Sequence, residues 1–421
     1  MQLKKIKINQ RLKAQLSNLS VYLLATVISS GVGVLINPLL AANLEPSDYA
    51  IIGYYISLNT LFLPLISFSL ASFYTRKFFG VTTEKLKLIK NTIITFQLIA
   101  GTLSILIIII IFNIYAKHIK LSLNVFPYLY FTILTTFLSS FFSFMLTEKR
   151  LLGEAKRFFR FNMINMIIGV FSSILLVVVW KLGATGRLAA LLITSLVSGF
   201  LALKEMNIKF QINLSIIKEA LAFSWPIFFS AILYFLFGGF DRILLERLDD
   251  TENLGFYNVA YQITAYVAIF GTAILQTFDP DIYKATSKQN IAKAMKIVFL
   301  IVGLVFAVSL IFYLLASPII NILTYGRYLD AVPYSKILVF RNVASALAFS
   351  SSGVIIGLGY PKVELVNRIV GSIGAYFIYL FLINKYQFTG AAWGQTITLL
   401  IMSMVSLLFI LWKYINQQNK L

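Results

Sequence analysis

The 421-residue sequence contains no cysteine and only one histidine, His118. The lack of cysteine excludes disulfides and thiolate metal sites, and a single histidine leaves little for histidine-based catalysis. Charge is scarce as well, because 12% of the residues are charged, against roughly a quarter in soluble domains. Hydrophobic residues make up 59% of the chain and include 37 phenylalanines. The composition therefore indicates a membrane protein.

Long apolar runs are what the sequence has in abundance. The length of each run is close to the roughly 20 residues that a helix needs to cross about 30 Å of hydrocarbon. Runs such as "LSILIIIIIFNI" are apolar on every side, as a lipid-surrounded helix must be. We therefore predict an all-α membrane protein with twelve transmembrane helices. The intervals without Asp, Glu, Lys or Arg are 14–44, 49–75, 91–116, 121–147, 161–180, 188–203, 220–240, 253–278, 297–326, 342–361, 369–384 and 386–412.

Basic residues are unevenly distributed between alternate loops. With the N-terminus placed inside, 25 of the 36 Lys and Arg residues fall on the inner side and 8 on the outer side. The positive-inside rule then predicts that both termini are cytoplasmic in a multi-pass membrane protein. The net charge of +20 thus reflects orientation rather than nucleic-acid binding, and anionic membrane lipids are expected partners at the inner face.

Three short motifs recur at nearly one spacing. "LEPSD" at Leu44–Asp48 matches "LDDTE" at Leu248–Glu252, displaced by 204 positions. Thr185-Gly186 matches Thr389-Gly390 at the same displacement, and "LGEAK" at 152–156 matches "LGYPK" at 358–362, displaced by 206. Such a repeat predicts two six-helix halves joined near residues 205–215.

The repeat gives a predicted domain organisation. It comprises a basic cytoplasmic tail at 1–14, an N-terminal bundle at 15–208, a C-terminal bundle at 209–414 and a second cytoplasmic tail at 415–421. Because each half has an even number of spans, the halves are parallel repeats about an axis along the membrane normal. Two parallel repeats around a central cavity are typical of transporters.

Arginine is the main charge inside the predicted spans. Arg341 lies about 10 Å into the tenth span and is followed by Asn342, while Arg368 lies beside Asn367 in the eleventh span. Such residues usually face the interior of a bundle, and guanidinium groups match phosphate oxygens bidentately. We therefore predict that these four residues and Arg242 bind an anionic substrate. Two other interpretations stay open: Arg368 pairs with Glu364 four residues earlier, and Arg341 snorkels toward the surface.

The stretch "FDRILLERLDDTENLGFY", residues 240–257, concentrates acids beside two arginines. Arg242 and Glu246 are four apart, which favours a structural latch over cargo contact. Adjacent residues do not share a helix face, so Asp241 is expected to point away from Arg242, either to pair across the bundle or to carry a coupling ion. The following acids are predicted to form part of an outer gate that opposes return of an anionic cargo: Glu246, Asp249, Asp250, Glu252, Glu45 and Asp48.

Four segments carry a resemblance to a known family: "NPLLAANLEPSDYA" at Asn37–Ala50, the stretch Ala220–Ile263, "FDPDIYK" at Phe278–Lys284 and "TGAAWGQTI" at Thr389–Ile397. They resemble the polysaccharide exporters, the Wzx-type flippases within the superfamily of multidrug, oligosaccharidyl-lipid and polysaccharide exporters. The most specific part is Asp-Arg-Ile at 241–243 with Leu-Gly-x-Tyr at 254–257.

The resemblance implies a membrane transporter that works by alternating access. Its substrate would be an undecaprenyl-diphosphate-linked oligosaccharide, an O-antigen or capsule repeat unit, moved from the cytoplasmic to the periplasmic leaflet. Expected partners are membrane lipids and the polysaccharide polymerase and chain-length machinery.

Two other classes of membrane protein would show different sequence features. A cation-coupled multidrug exporter of the same superfamily would place acids in its lumen, whereas the deep charges here are mainly arginine. A membrane polymerase or glycosyltransferase would show a large outer loop or a cytosolic acidic pair, and no phosphate-binding loop of the P-loop type is present. We therefore predict a transporter rather than an enzyme, without catalytic residues, metal ligands, cofactor or nucleic-acid partner.

Overall fold

The computed structural model describes residues 28, 31–119 and 121–418. The predicted tail at 1–14 and the start of the first span lie outside the described residues, as do the last three residues of the second tail. All regular elements within the described residues are helical, which confirms the all-α class.

Fourteen helices are named here in chain order. The first seven are α1 Gly31–Asn43, α2 Pro46–Ser67, α3 Leu70–Lys77, α4 Thr83–Ile119, α5 Tyr128–Leu151, α6 Ala155–Ser173 and α7 Gly183–Met206. A π-helical stretch at Ile174–Val179 extends α6. The other seven are α8 Leu214–Gly238, α9 Phe240–Glu246, α10 Thr251–Ser287, α11 Ile291–Thr324, α12 Val332–Leu338, α13 Phe340–Gly357 and α14 Pro361–Gln418. A 3₁₀ turn at Leu329–Ala331 precedes α12.

Ten helices of the described chain are long and apolar enough to cross a membrane, when α12 and α13 are taken together as one span. The longest, α14, has 58 residues and would measure about 87 Å, nearly three times the hydrocarbon thickness. Its backbone leaves the helical region at Gln387, with φ 50° and ψ −128°. Each of its two parts is therefore as long as one span, and the count of twelve spans stays a prediction.

Backbone geometry repeats at the spacing that the sequence shows. Gly153 and Gly359 end α5 and α13 with φ of 71° and 90°, in the left-handed region that favours glycine. Lys181, between α6 and α7, and Gln387, within α14, have φ of 52° and 50°. Both pairs are 206 positions apart, so the break between α6 and α7 corresponds to the kink in α14. This agreement supports the internal repeat.

Packing divides the chain into two compact units: Met1–Asn43 with Leu58–Phe229, and Leu44–Ser57 with Ser230–Leu421. The two bundles predicted from the sequence repeat, at 15–208 and 209–414, have other boundaries than these packing units and stay a prediction. In the first unit, a core of buried aromatic and aliphatic side chains joins α3, α4, α5, α7 and α8. The connecting segment after α7 is fixed to α4, because the backbone N–H groups of Lys209 and Gln211 donate to Asn91 Oδ1 and Thr95 Oγ1.

The second unit holds the first part of α2 against α10 through two glycines. A Cβ added to Gly53 would lie 2.0 Å from Cγ of Asn258, and one added to Gly255 would lie 2.0 Å from the carbonyl oxygen of Pro46. At Gly255 only glycine permits this approach, because the neighbouring atoms are backbone, whereas at Gly53 the Asn258 side chain would have to move. The fully buried Tyr328 donates its hydroxyl to the carbonyl oxygen of Leu44 at 2.6 Å. The start of α10 is thereby held in place, and α10 carries several residues of the site described next.

Candidate anion-binding site

Two helix interruptions in the second unit place charged side chains inside the bundle. The chain leaves α8 at Gly238 and enters α9 at Phe240, so that Asp241 and Arg242 lie in the first turn of α9. It leaves α12 at Leu338 and enters α13 at Phe340, so that Arg341 follows a second interruption. Interrupted spans at polar sites are typical of transporters, because the irregular backbone there lines protein or water rather than lipid.

Asp241 is the centre of a buried hydrogen-bond network. Its side chain is fully buried, and Oδ1 accepts from Arg242 Nη1 at 3.0 Å. Oδ2 accepts from the hydroxyl of Tyr257 and from Nε2 of Gln395, both at 2.6 Å. Charge-assisted bonds of this length are among the stronger hydrogen bonds in proteins. The carboxylate therefore fixes Arg242 and links α9 to α10 and to the second part of α14.

Tyr261, on α10, lies between two arginines. The guanidinium carbon of Arg242 is 3.6 Å from the centre of its ring, and that of Arg341 is 4.6 Å from the same point. Cation–π contacts of this kind hold guanidinium groups close together while leaving their N–H groups available to an anion. Arg242 also donates from Nε to Asn258 Oδ1 at 3.4 Å.

The charges of this cluster do not cancel. Within 31–119 and 121–418, Arg242 pairs with Asp241, whereas no carboxylate forms an ion pair with Arg341. Asp241, Arg242 and Arg341 together carry a net charge of +1. A charged side chain deep in a membrane span costs about 2.5–3.5 kcal/mol on insertion scales, and an arrangement of this kind can accept an anion.

Arg341 lines a cavity of about 190 Å³ within the second unit. Polar groups of Tyr234, Asn342 and Ser345 share its wall with apolar side chains such as Phe349. Asn342 also anchors α13 to α10, because its Nδ2 donates to the carbonyl oxygen of Thr264 at 3.2 Å. The cavity thus brings one predicted arginine and one predicted asparagine to the same wall.

Arg368 lines a second, smaller cavity of about 10 Å³, which shares Phe237, Phe349 and Leu399 with the larger one. Its Nε donates to Glu364 Oε1 at 2.8 Å, so the pairing considered from the sequence is present. Neighbouring Asn367 donates from Nδ2 to the carbonyl oxygen of Met402 and to Ser406 Oγ. Substrate binding by Arg368 and Asn367 stays a prediction.

The predicted gate acids have identifiable local contacts. Asp250 caps α10 by accepting from the backbone N–H of Asn253 at 3.0 Å, and Asp48 accepts from the backbone N–H of Glu45 at 2.9 Å. Asp249 and Glu252 are exposed, and Glu246 is 4% exposed. Asp48 and Asp250 thus stabilise the starts of α2 and α10, and a role of the six acids as a gate stays a prediction.

One expectation from the sequence is wrong. Asp241 does not point away from Arg242, because the long arginine side chain reaches its carboxylate at 3.0 Å. Asp241 also pairs across the bundle, with Tyr257 and Gln395, as one of the two alternatives for it proposed. The sequence reasoning also missed Gln395. A glutamine in an otherwise apolar span is the signal that could have found it, since buried amides need partners.

The comparisons with known proteins agree with this architecture. Residues 15–282 match the family described as polysaccharide biosynthesis protein. A protein of the Lsg locus of Haemophilus influenzae is 24% identical over 280 residues. That match spans 64% of this chain and 66% of the relative, just under two thirds of its length.

Solved structures share the fold at low sequence identity. The lipid II flippase MurJ in an inward closed conformation gives a TM-score of 0.72 at 14% identity, over 92% of this chain and 86% of that one. An inward-facing multidrug resistance MATE family transporter of the MOP superfamily gives a TM-score of 0.70 at 14% identity. That match covers 96% of this chain and 98% of the transporter. The chain therefore belongs to the polysaccharide biosynthesis protein family and has the fold of MOP superfamily transporters.

Proposed function

We propose that the protein is a flippase for an undecaprenyl-diphosphate-linked oligosaccharide. It would move this repeat unit from the cytoplasmic to the periplasmic leaflet of a bacterial inner membrane by alternating access, for O-antigen or capsule biosynthesis. Family membership supports a role in polysaccharide biosynthesis, and the excess of positive charge at Arg242 and Arg341 supports the anionic cargo.

The chemistry of the site suits a diphosphate. Each guanidinium offers a planar set of N–H donors that can bind two phosphate oxygens, and it stays charged at any working pH. Asp241 holds Arg242 in place, and Tyr261 spaces the two arginines. The glycan needs a hydrated path, whereas the polyprenyl tail can stay in the bilayer. No covalent step is required, so the protein acts as a transporter, and polymerase and chain-length machinery would use its product.

A cation-coupled small-molecule or multidrug exporter is the second candidate, favoured by the fold shared with a MATE family transporter. Such a protein needs a carboxylate that is free to hold a cation. Asp241 already accepts hydrogen bonds from Arg242, Tyr257 and Gln395 on its two oxygens, and two arginines lie near it. Its surroundings therefore favour an anion as cargo.

Deletion of the gene is expected to separate the two candidates. A flippase null should lose surface glycan, and lipid-linked repeat units should accumulate in the cytoplasmic leaflet. The measurement is glycan staining of whole cells combined with leaflet-specific labelling of lipid-linked sugars. Intact surface glycan with altered drug sensitivity would instead favour the multidrug exporter, and single units capped at the outer face would indicate a polymerase.

The outer gate can be tested without unfolding α10. Asp249→Asn, Asp250→Asn and Glu252→Gln together remove three negative charges, and asparagine at position 250 caps a helix about as well as aspartate. We expect transport to fall several-fold, because the negative potential that opposes return of the cargo is lost. Export is measured as surface glycan at matched protein levels; unchanged export would remove the gate from the mechanism.

A further inference from the structure

We propose that an anionic phospholipid of the surrounding bilayer binds to the second unit, in an apolar groove between α11 and the last turns of α14. One acyl chain would occupy the groove and the head group would face a cluster of lysines at its end. The site is distinct from the proposed cargo site, because the groove shares no lining residue with the cavity beside Arg341.

The groove has a volume of about 480 Å³ and is almost entirely apolar. Ala292, Met295 and Phe299 line one wall, at the three- and four-residue spacing that places side chains on one face of α11. Met404, Leu411 and Tyr414 are part of the opposite wall on α14. A narrow apolar groove between two spans fits a hydrocarbon chain, and the small side chain of Ala292 keeps it open.

The length of the groove matches one leaflet. From Ala292 to Phe299 the α11 wall rises about 10 Å, and from Met404 to Tyr414 the α14 wall rises about 15 Å. Half of a hydrocarbon core of about 30 Å is about 15 Å. The longer wall therefore has about the length of a single leaflet, which suits one acyl chain of a phospholipid.

Positive charge is concentrated at one end of the groove. Lys288, Lys293 and Lys296 are exposed in the turn before α11 and in its first turns, and residues 282–329 contain no Asp or Glu. Lys296 follows Ala292 by four residues and so lies on the same face of α11. At this end Gln417 Nε2 donates to the carbonyl oxygen of Gln289 at 3.0 Å, which ties α14 to the turn. Lysines beside an apolar groove attract the phosphate of an anionic head group more than a zwitterionic one.

The test compares phosphatidylglycerol with phosphatidylethanolamine bound to the full-length protein. The protein is extracted from membranes containing both lipids, and retained lipids are counted by native mass spectrometry. Wild type is expected to retain phosphatidylglycerol, and Lys293→Gln with Lys296→Gln to lower its retention about tenfold. Ala292→Phe, at an exposed position, fills the groove and should lower retention of both lipids. Lys85→Gln with Lys87→Gln, two exposed lysines on α4, is the matched control and should resemble wild type.

Three results would overturn the proposal. The first is equal retention of phosphatidylglycerol by wild type and the Lys293/Lys296 variant, and the second is retention that Ala292→Phe leaves unchanged. The third is displacement of phosphatidylglycerol from wild type by a polyprenyl phosphate that is present at a lower concentration than the phospholipid. That result would indicate that the groove binds the polyprenyl tail of the cargo.

Discussion

Arg341→Ala is expected to reduce surface polysaccharide by about 10- to 100-fold. The side chain carries the positive charge that no carboxylate of the described chain pairs, and it faces the larger cavity. A hydrogen bond to a charged group contributes about 1.5–3 kcal/mol, so the net loss of one such bond to a phosphate weakens cargo binding by about this factor. Arg341→Lys keeps the charge but not the planar pair of donors, and an intermediate loss is expected.

The control for this prediction is Arg150→Ala. Arg150 also lies over an aromatic ring, with its guanidinium carbon 5.8 Å from the centre of the Phe158 ring, but it is exposed at the end of α5 in the first unit. Polysaccharide is measured by gel analysis of cell extracts at matched membrane levels of each variant. Equal losses in the two variants, or full export by Arg341→Ala, would argue against anion binding at this cavity.

Asp241→Asn is expected to destabilise the protein more than any other conservative change in the site. The substitution leaves Arg242 buried without its counter-charge, and breaking a buried ion pair in this way costs about 3–5 kcal/mol. It also weakens the links to Tyr257 and Gln395. The thermal unfolding of the purified protein and its yield as a monodisperse peak measure this loss.

Two further variants separate stability from binding. Asp241→Asn combined with Arg242→Met removes both charges, so it should recover part of the stability while export stays low. Glu364→Gln breaks a pair whose arginine side chain is 35% exposed, so solvent compensates and the cost should be below about 1 kcal/mol. An Asp241→Asn protein as stable and as active as wild type would remove this carboxylate from the site.

Sequence patterns predicted the membrane fold because the bilayer imposes simple rules. The charge-free intervals follow from the cost of charge in hydrocarbon, and they correspond to helices such as α4, α5 and α11. The repeat spacing of 206 found between Gly153 and Gly359 is a property of the sequence that the backbone reproduces. The pairing of Arg368 with Glu364 could also be predicted from the sequence, because it depends only on helical spacing.

The interior of the site depends on tertiary packing, which the sequence alone did not reveal. Gln395 reaches Asp241 from a position 154 residues away, and no local pattern connects the two. Tyr261 lies between Arg242 and Arg341 only because α10 packs beside both helix interruptions. The contact between the adjacent residues Asp241 and Arg242 depends on the rotamer of the long arginine side chain, which helical spacing does not determine.

Binding of a short polyprenyl diphosphate tests the proposed cargo site most directly. Farnesyl diphosphate is titrated into the purified full-length protein by calorimetry, with farnesol and the lipophilic cation tetraphenylphosphonium as comparisons. We expect wild type to bind the diphosphate in preference to both, and Arg341→Ala to bind it at least about tenfold more weakly. Equal affinity of wild type and Arg341→Ala for the diphosphate, or a preference of wild type for the cation, would contradict an arginine site for a phosphorylated cargo.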